Sequence, residues 1–154
     1  MGVSYLLFTL NDETADWLRK CAFQPPSPLP ESRFPTLSEL KEIVQNLDGY
    51  RVQISLSAVT NTIDLRIVDQ HESHDGWSTT IWAHKLNDRT CPPEDGDMVQ
   101  FSFHKGSPEL AVLIAAKLTG VCGPLVLISS VDCEPLLVTE GLEPRKAVEE
   151  WFKD

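Results

Sequence analysis

The chain has 154 residues, of which 42% are hydrophobic and 23% charged, which is typical of a globular domain and unlike a disordered or membrane-spanning chain. Its 23 acidic and 13 basic side chains give a formal charge of −10. This charge disfavours a nucleic-acid or anionic-membrane partner, because phosphate groups would be repelled, and it either favours a basic partner or serves only solubility. The length predicts one compact domain over residues 1–154.

The amino-terminal segment, residues 2–10, is apolar and rich in strand-forming residues, which predicts a strand in the interior of a sheet. It lacks the basic region and the cleavage site of a signal peptide, so we expect a cytoplasmic protein. Asn11 or Asp12 is suited to cap a short helix that ends near Ala22. The next segment, residues 23–35, contains five prolines, which predicts an extended surface connector.

A second helix is predicted after the proline-rich segment. Thr36 and Glu39 have the spacing of a capping box, and apolar residues recur at helical spacing up to Leu47. Because glycine readily adopts the left-handed conformation that stops a helix, Gly49 is the predicted end of this element.

From residue 50 the apolar residues recur every second position, which indicates half-buried strands. The alternation covers residues 50–58, 63–67, 77–84 and 99–104. Four successive strands of this kind predict an antiparallel meander with one apolar and one polar face. The polar face would carry Gln53, Ser55, Asp64, Arg66, Thr80, Trp82, His84, Ser102 and His104.

The densest apolar material lies in residues 99–139. Ser107 and Pro108 are suited to begin a helix there, and Gly120 is its predicted end. Two short apolar runs that follow predict a hairpin, and Pro144 begins a final helix. The sequence therefore predicts an α+β fold: a mostly antiparallel sheet of about six to seven strands, with three to four helices packed mainly on one face.

Recognisable catalytic motifs are absent from the sequence. The four cysteines include no C-x-x-C pair, which favours free thiols, and no G-x-S-x-G or phosphate-binding glycine pattern occurs. The densest group of metal-ligating residues is the loop 69–75, in which His71 and His74 are the candidate ligands. Their spacing is not that of an H-E-x-x-H motif, so the loop is interpreted as a solvated acidic loop, with a metal site as the alternative. We expect no cofactor and no enzymatic activity.

The predicted polar sheet face is the strongest candidate for function. A tryptophan among hydrogen-bonding and charged groups, such as Trp82 beside Arg66, is typical of protein interfaces. The alternative is that a helix also covers this face, which would make Trp82 a half-buried packing residue.

The carboxy-terminal stretch VQFSFHKGSPELAVLIAAKLTGVCGPLVLISSVDCEPLLV resembles the end of small bacterial immunity proteins of polymorphic-toxin systems, notably the SitI3-like group. The resemblance covers about forty residues and lies in the order strand, helix, strand, strand. It implies an α+β inhibitor protein that binds a cognate toxin in the cytoplasm. It transfers no site residue, and it leaves the proline-rich connector and the acidic loops unmatched.

Three functional hypotheses follow. The first is an immunity protein, monomeric or weakly dimeric, that neutralises a basic toxin and contacts neither nucleic acid nor membrane. The second is a small metal-dependent hydrolase or metal-binding protein that uses Asp69, His71, His74 and His84, and the third is a scaffold that self-associates through the polar face. The predicted partner-binding residues of the first hypothesis are Arg66, Asp69, Glu72, Asp75, Trp82, His84, Glu94, Asp95, Asp97 and His104.

Overall fold

The computed structural model describes residues 3–70, 78–105, 107–131 and 134–152. Within these ranges the chain forms one seven-stranded antiparallel sheet and four helices, which confirms the predicted α+β fold. The strands are β1 (Ser4–Thr9), β2 (Tyr50–Ser57), β3 (Thr62–Asp69), β4 (Ser78–Lys85), β5 (Val99–His104), β6 (Leu125–Ser129) and β7 (Pro135–Val138). The helices are α1 (Asp12–Lys20), α2 (Leu37–Gln45), α3 (Pro108–Cys122) and α4 (Pro144–Trp151).

The strand order in the sheet is β2-β3-β4-β5-β1-β6-β7. The predicted meander is therefore present as β2 to β5, and β6 and β7 form the predicted hairpin. Strand β1 lies between β5 and β6, so the amino-terminal strand is interior, as its largely apolar sequence predicts.

Three helices, α2, α3 and α4, cover one face of the sheet, which we call the helix face. Helix α3 is the centre of this layer because it packs against α2, α4, β1, β6 and β7. Its residues Leu110, Ile114 and Leu118 are buried in the same cluster as Leu7 of β1 and Phe103 of β5. An almost uniformly apolar helix is stable in water only when it is covered in this way.

The remaining helix, α1, packs on the opposite face of the sheet, at the β1–β6 end. Asn11 caps it by accepting the Thr14 N–H at 2.8 Å. Its Leu18 is fully buried against Val126 and Ile128, the two β6 residues that point away from the helix face. One helix thus covers part of the predicted polar face, while the part formed by β2 to β5 carries no helix among the described residues.

The proline-rich connector is more than an extended surface segment, and that prediction was incomplete. The hydroxyl of Ser32 accepts the Leu10 N–H at 2.9 Å and donates to the Pro124 carbonyl at 2.6 Å. Phe23 and Leu29 pack against the small cluster beneath α1. The connector therefore holds the end of β1 beside the start of β6, because its backbone and hydroxyl satisfy polar groups that the sheet leaves open.

Two predicted helix ends were wrong. Helix α2 ends at Gln45, and Gly49, with φ +83°, instead makes the turn into β2. Helix α3 continues through Gly120 to Cys122 and is capped by Gly123, with φ +79°. A Cβ atom on Gly123 would overlap the carbonyl oxygen of Glu31, whereas Gly120 has open space around it. The tertiary contact with the connector, rather than the first glycine in the sequence, decides where α3 stops.

Candidate interaction surface on the polar sheet face

The register of β2 to β5 places the predicted polar residues in rows across one face, which we call the polar face. One row consists of Ser55, Asp64, Trp82, Ser102 and Leu6. The adjacent row consists of Gln53, Arg66, Thr80, His104 and Ser4. Alternation in the sequence predicts this arrangement, because successive side chains of a strand point to opposite faces.

The centre of the polar face is an aromatic stack of Trp82 on His104. The ring centroids lie 3.7 Å apart with 26° between the planes, and 46% of Trp82 is exposed. His104 is held from both sides, since its Nδ1 lies 3.0 Å from the Ser4 hydroxyl and its Nε2 lies 2.6 Å from the Ser102 hydroxyl. The stack therefore presents a fixed aromatic surface to solvent.

Burial keeps His104 uncharged near neutral pH. Desolvation lowers its pKa from the ordinary value of 6.5, and the charge of nearby Asp64 opposes that shift only in part. A neutral imidazole donates through one ring nitrogen and accepts through the other, which suits the two flanking hydroxyl groups. The pair stacks as two neutral rings.

Asp64 is oriented beside the stack. Its Oδ1 accepts the hydroxyl hydrogen of Thr62 at 2.7 Å, and the Thr62 hydroxyl lies 2.8 Å from that of Thr60. Asp64 pairs with Trp82 in the β3–β4 register, and Arg66 pairs with Thr80 in the next row. An acidic group therefore lies opposite the exposed tryptophan on the neighbouring strand, and a basic group lies diagonal to it.

His84 lies on the same face and is partly buried. Its Nε2 is buried and has no hydrogen-bond partner among the described residues. Burial lowers its pKa from 6.5, and the nearby charge of Arg89 lowers it further, while a hydrogen bond with Gln100 opposes the shift. Of the two histidines predicted to bind a partner, only His104 thus belongs to the exposed aromatic stack.

The acidic residues of the β4–β5 connection lie elsewhere. The carbonyl groups of Asp95 and Asp97 accept the N–H groups of Ser38 and Leu37, at the first turn of α2. Their carboxylates pair with Lys41 at 2.8 Å and with Lys85 at 3.8 Å, respectively. These two predicted partner-binding residues therefore support the α2 terminus, and with neighbouring Glu94 they form a group separate from the aromatic stack.

His71, Glu72, His74 and Asp75 lie outside the described residues, whereas Asp69 ends β3 opposite Tyr50. Among the residues that the structure describes, no three His, Cys, Asp or Glu side chains are grouped as metal ligands. Cys21, Cys91 and Cys122 are free thiols, and burial raises the pKa of Cys122 to about 11, which makes it a poor nucleophile.

Sequence reasoning missed a groove next to the polar face. The groove has a volume of about 560 Å³ and lies between α1 and the sheet, with Leu6, Phe8, Trp17 and Gln100 among its lining residues. Leu6 also belongs to the row of Trp82, so the groove and the aromatic stack adjoin. The sequence pattern that could have predicted the groove lies in β1, where apolar side chains occur on both faces of the strand. Such a pattern indicates burial on both faces of the sheet.

Comparison with known proteins adds no assignment, since no family model, curated protein or solved structure matches the chain significantly. None of the helices in the described ranges has the length and apolar character that a membrane span requires.

Proposed function

We propose that this chain is a non-enzymatic inhibitor of the immunity-protein class, which binds and neutralises a cognate basic toxin through its polar sheet face. The observation that carries the proposal is the half-exposed Trp82, stacked on a histidine that two hydroxyl groups hold in place. The resemblance of the carboxy-terminal stretch to immunity proteins supplies the class. The encounter is expected in the cytoplasm.

A fixed tryptophan is an efficient interface anchor. It buries a large apolar area, and because its ring is already held against His104 it loses little conformational freedom on binding. Asp64, Arg66 and the neighbouring hydroxyl groups supply the polar rim that usually surrounds such an anchor. The antiparallel strands beneath it give the surface a rigid support.

The net charge supports a basic partner. A charge of −10 would raise the association rate with a cationic protein through long-range attraction, and the rate would fall as salt screens that attraction. Glu94, Asp95 and Asp97 contribute to this field even though they lie away from the stack. They are therefore expected to affect the association rate more than the dissociation rate.

The test is growth rescue in bacteria that co-express the chain with a toxin candidate, for which the gene next to that of the chain is the first to be examined. The unmodified chain should restore growth, and Trp82→Ala should abolish rescue and accelerate dissociation of the purified complex by about tenfold or more. Because about half of Trp82 is exposed and it lies outside the main core, its loss should lower the melting temperature by only a few degrees.

Phe152→Ala is the matched control for that variant. Phe152 is also aromatic, is 41% exposed and stacks on Trp151 with ring centroids 4.9 Å apart, but it belongs to the α4 end of the helix layer. The Phe152→Ala variant should restore growth as well as the unmodified chain does. Equal rescue by Trp82→Ala and Phe152→Ala would refute the proposed binding surface, and absence of salt dependence in the association rate would refute the electrostatic part.

A further inference from the structure

Strand β2 forms one edge of the sheet, and its backbone is exposed there. It pairs with β3 on one side, and on the other side no strand lies beside it among the residues that the structure describes. The strand has eight residues, of which five are exposed and three are partly buried. A long open edge of this kind offers unpaired N–H and C=O groups to another strand.

The register identifies which backbone groups face outward. Gln70 donates its N–H to the Gly49 carbonyl at 2.9 Å, so these two residues form a hydrogen-bonded pair next to the Tyr50–Asp69 pair. In an antiparallel ladder hydrogen-bonded pairs recur at every second residue. Residues 51, 53 and 55 therefore bond to β3, and the N–H and C=O groups of Val52, Ile54 and Leu56 point to the open edge.

The side chains of these same residues are also uncovered. Ile54 is 38% and Leu56 59% exposed, although both point to the helix face of the sheet. Helix α2 contacts β2 but does not reach its far half. The usual protection of an edge is missing as well, because β2 contains no proline, lysine or acidic residue and its one charge is Arg51.

We propose that β2 is a self-association edge, at which a second copy of the chain adds its own β2 in antiparallel orientation and extends the sheet to fourteen strands across a twofold axis at Ile54. Ile54 then faces Ile54 of the second copy, and Val52 faces Leu56. All outward N–H and C=O groups of these three residues become paired, which gives six hydrogen bonds.

The charges and side chains are self-complementary in this register. Arg51 faces Ser57 and Gln53 faces Ser55, so no like charges are opposed across the edge. The apolar side chains of both copies meet on the helix face and the polar ones on the polar face. A shift by one residue would place apolar side chains opposite polar ones, which disfavours that register.

The two copies carry a charge of −10 each, and this repulsion opposes the dimer. We therefore expect weak association that strengthens as salt is added, since salt screens the repulsion. The proposed binding of a basic partner has the opposite salt dependence, so failure of one proposal can be distinguished from failure of the other.

The first test is sedimentation equilibrium of the full chain from micromolar to millimolar concentration, at low and at high salt. The unmodified chain should dimerise, and Ile54→Lys should raise the dimer dissociation constant by about tenfold or more, because it places two lysines together at the axis. Val59→Lys is the control, since Val59 is 95% exposed at the β2–β3 turn and should have no effect.

The second test fixes the register by cross-linking under mild oxidation. Cysteines at position 54 of the two copies would have Cα atoms about 5.5 Å apart, within disulfide range, so Ile54→Cys should form a covalent dimer. Leu56→Cys should not, because its two copies would be offset by about 13 Å along the strands. Because Leu56 is more exposed than Ile54, accessibility alone would predict that Leu56→Cys forms the covalent dimer more readily.

Three results would overturn the proposal. The first is a strict monomer at the highest concentration in high salt. The second is a dimer that Trp82→Ala abolishes and Ile54→Lys does not, since this would place the contact on the polar face. The third is a chain that stays monomeric while Ile54→Lys abolishes binding of the toxin candidate, which would assign the edge to the partner rather than to a second copy.

Discussion

At the scale of single residues, Gly123 shows how one backbone conformation joins two parts of the chain. It ends α3 with φ +79°, and its missing side chain leaves room for the carbonyl oxygen of Glu31 in the connector. The nearby N–H of Arg33 donates to the Cys122 carbonyl at 2.9 Å. The end of the central helix and the path of the connector are therefore fixed together.

Gly123→Ala should destabilise the protein by about 2–4 kcal/mol, because the new methyl group meets a backbone atom and the residue keeps an unfavourable φ. Gly120→Ala is the matched control. Gly120 lies inside α3 with open space around it, so alanine should stabilise the protein by about 1 kcal/mol. Urea unfolding of both variants measures the difference, and equal effects would contradict the assigned helix end.

At the scale of elements, the proline-rich connector links the end of β1 to the start of β6 through hydrogen bonds. Its Ser32 hydroxyl joins the Leu10 N–H to the Pro124 carbonyl, at the ends of these two strands. The same connector places Arg33 against Glu39 of the α2 capping box, with two guanidinium–carboxylate contacts of 2.8 and 2.9 Å. It therefore contacts both layers of the fold.

Ser32→Ala should lower the free energy of unfolding by about 1–2 kcal/mol, because it leaves a partly buried N–H and a carbonyl without their shared partner. Ser38→Ala serves as the control. Ser38 is exposed in the first turn of α2, and the hydrogen bond to Asp95 uses its backbone N–H, which alanine keeps. Denaturant unfolding should show a change within about 0.5 kcal/mol for the control.

At the scale of the whole molecule, the sheet has two unlike faces and an open edge. The helix face carries the main core, and the polar face is divided between α1 at one end and the Trp82–His104 stack toward the other. Two partly buried histidines, His84 and His104, lie on the polar face, and the Arg33–Glu39 ion pair lies at the start of α2 in the helix layer. The stability of the fold therefore depends on pH in two separate ranges.

Acidification should weaken the protein in two steps. His84 and His104 have lowered pKa values, so the unfolded chain protonates first and stability is lost as the pH falls below about 6.5. Arg33 lowers the pKa of Glu39 to about 2, so the Glu39 contribution is present above about 4.5 and is lost as the pH falls toward 2.

Unfolding free energies of the unmodified chain, His104→Gln and Glu39→Gln, measured from pH 8 to pH 3, test this expectation. The difference between the chain and Glu39→Gln should be constant above pH 5 and shrink below it, with a size of about 1 kcal/mol because both partners are partly exposed. His104→Gln should reduce only the loss that begins near pH 6.5. A pH-independent difference for either variant would contradict the assigned pKa shift.

Local pattern was sufficient to predict most of the elements. The period-two alternation from Tyr50 to His104 determined four strands and their two faces, and the capping signals at Thr36 and Ser107 determined where two helices begin. These features depend on neighbouring residues alone, because side-chain direction and cap hydrogen bonds are set within a few positions of the chain.

Only the tertiary structure decided the rest. Which glycine stops α3 depends on the approach of Glu31, and the position of α1 depends on a cluster contributed by β6, more than one hundred residues away. The stacking of Trp82 on His104 requires two strands to meet in register, and the exposure of β2 requires a helix layer that ends before the sheet does. The sequence by itself determined the elements and the faces, whereas contacts between distant segments determined which part of each face remains open, because burial is a property of the assembled layers.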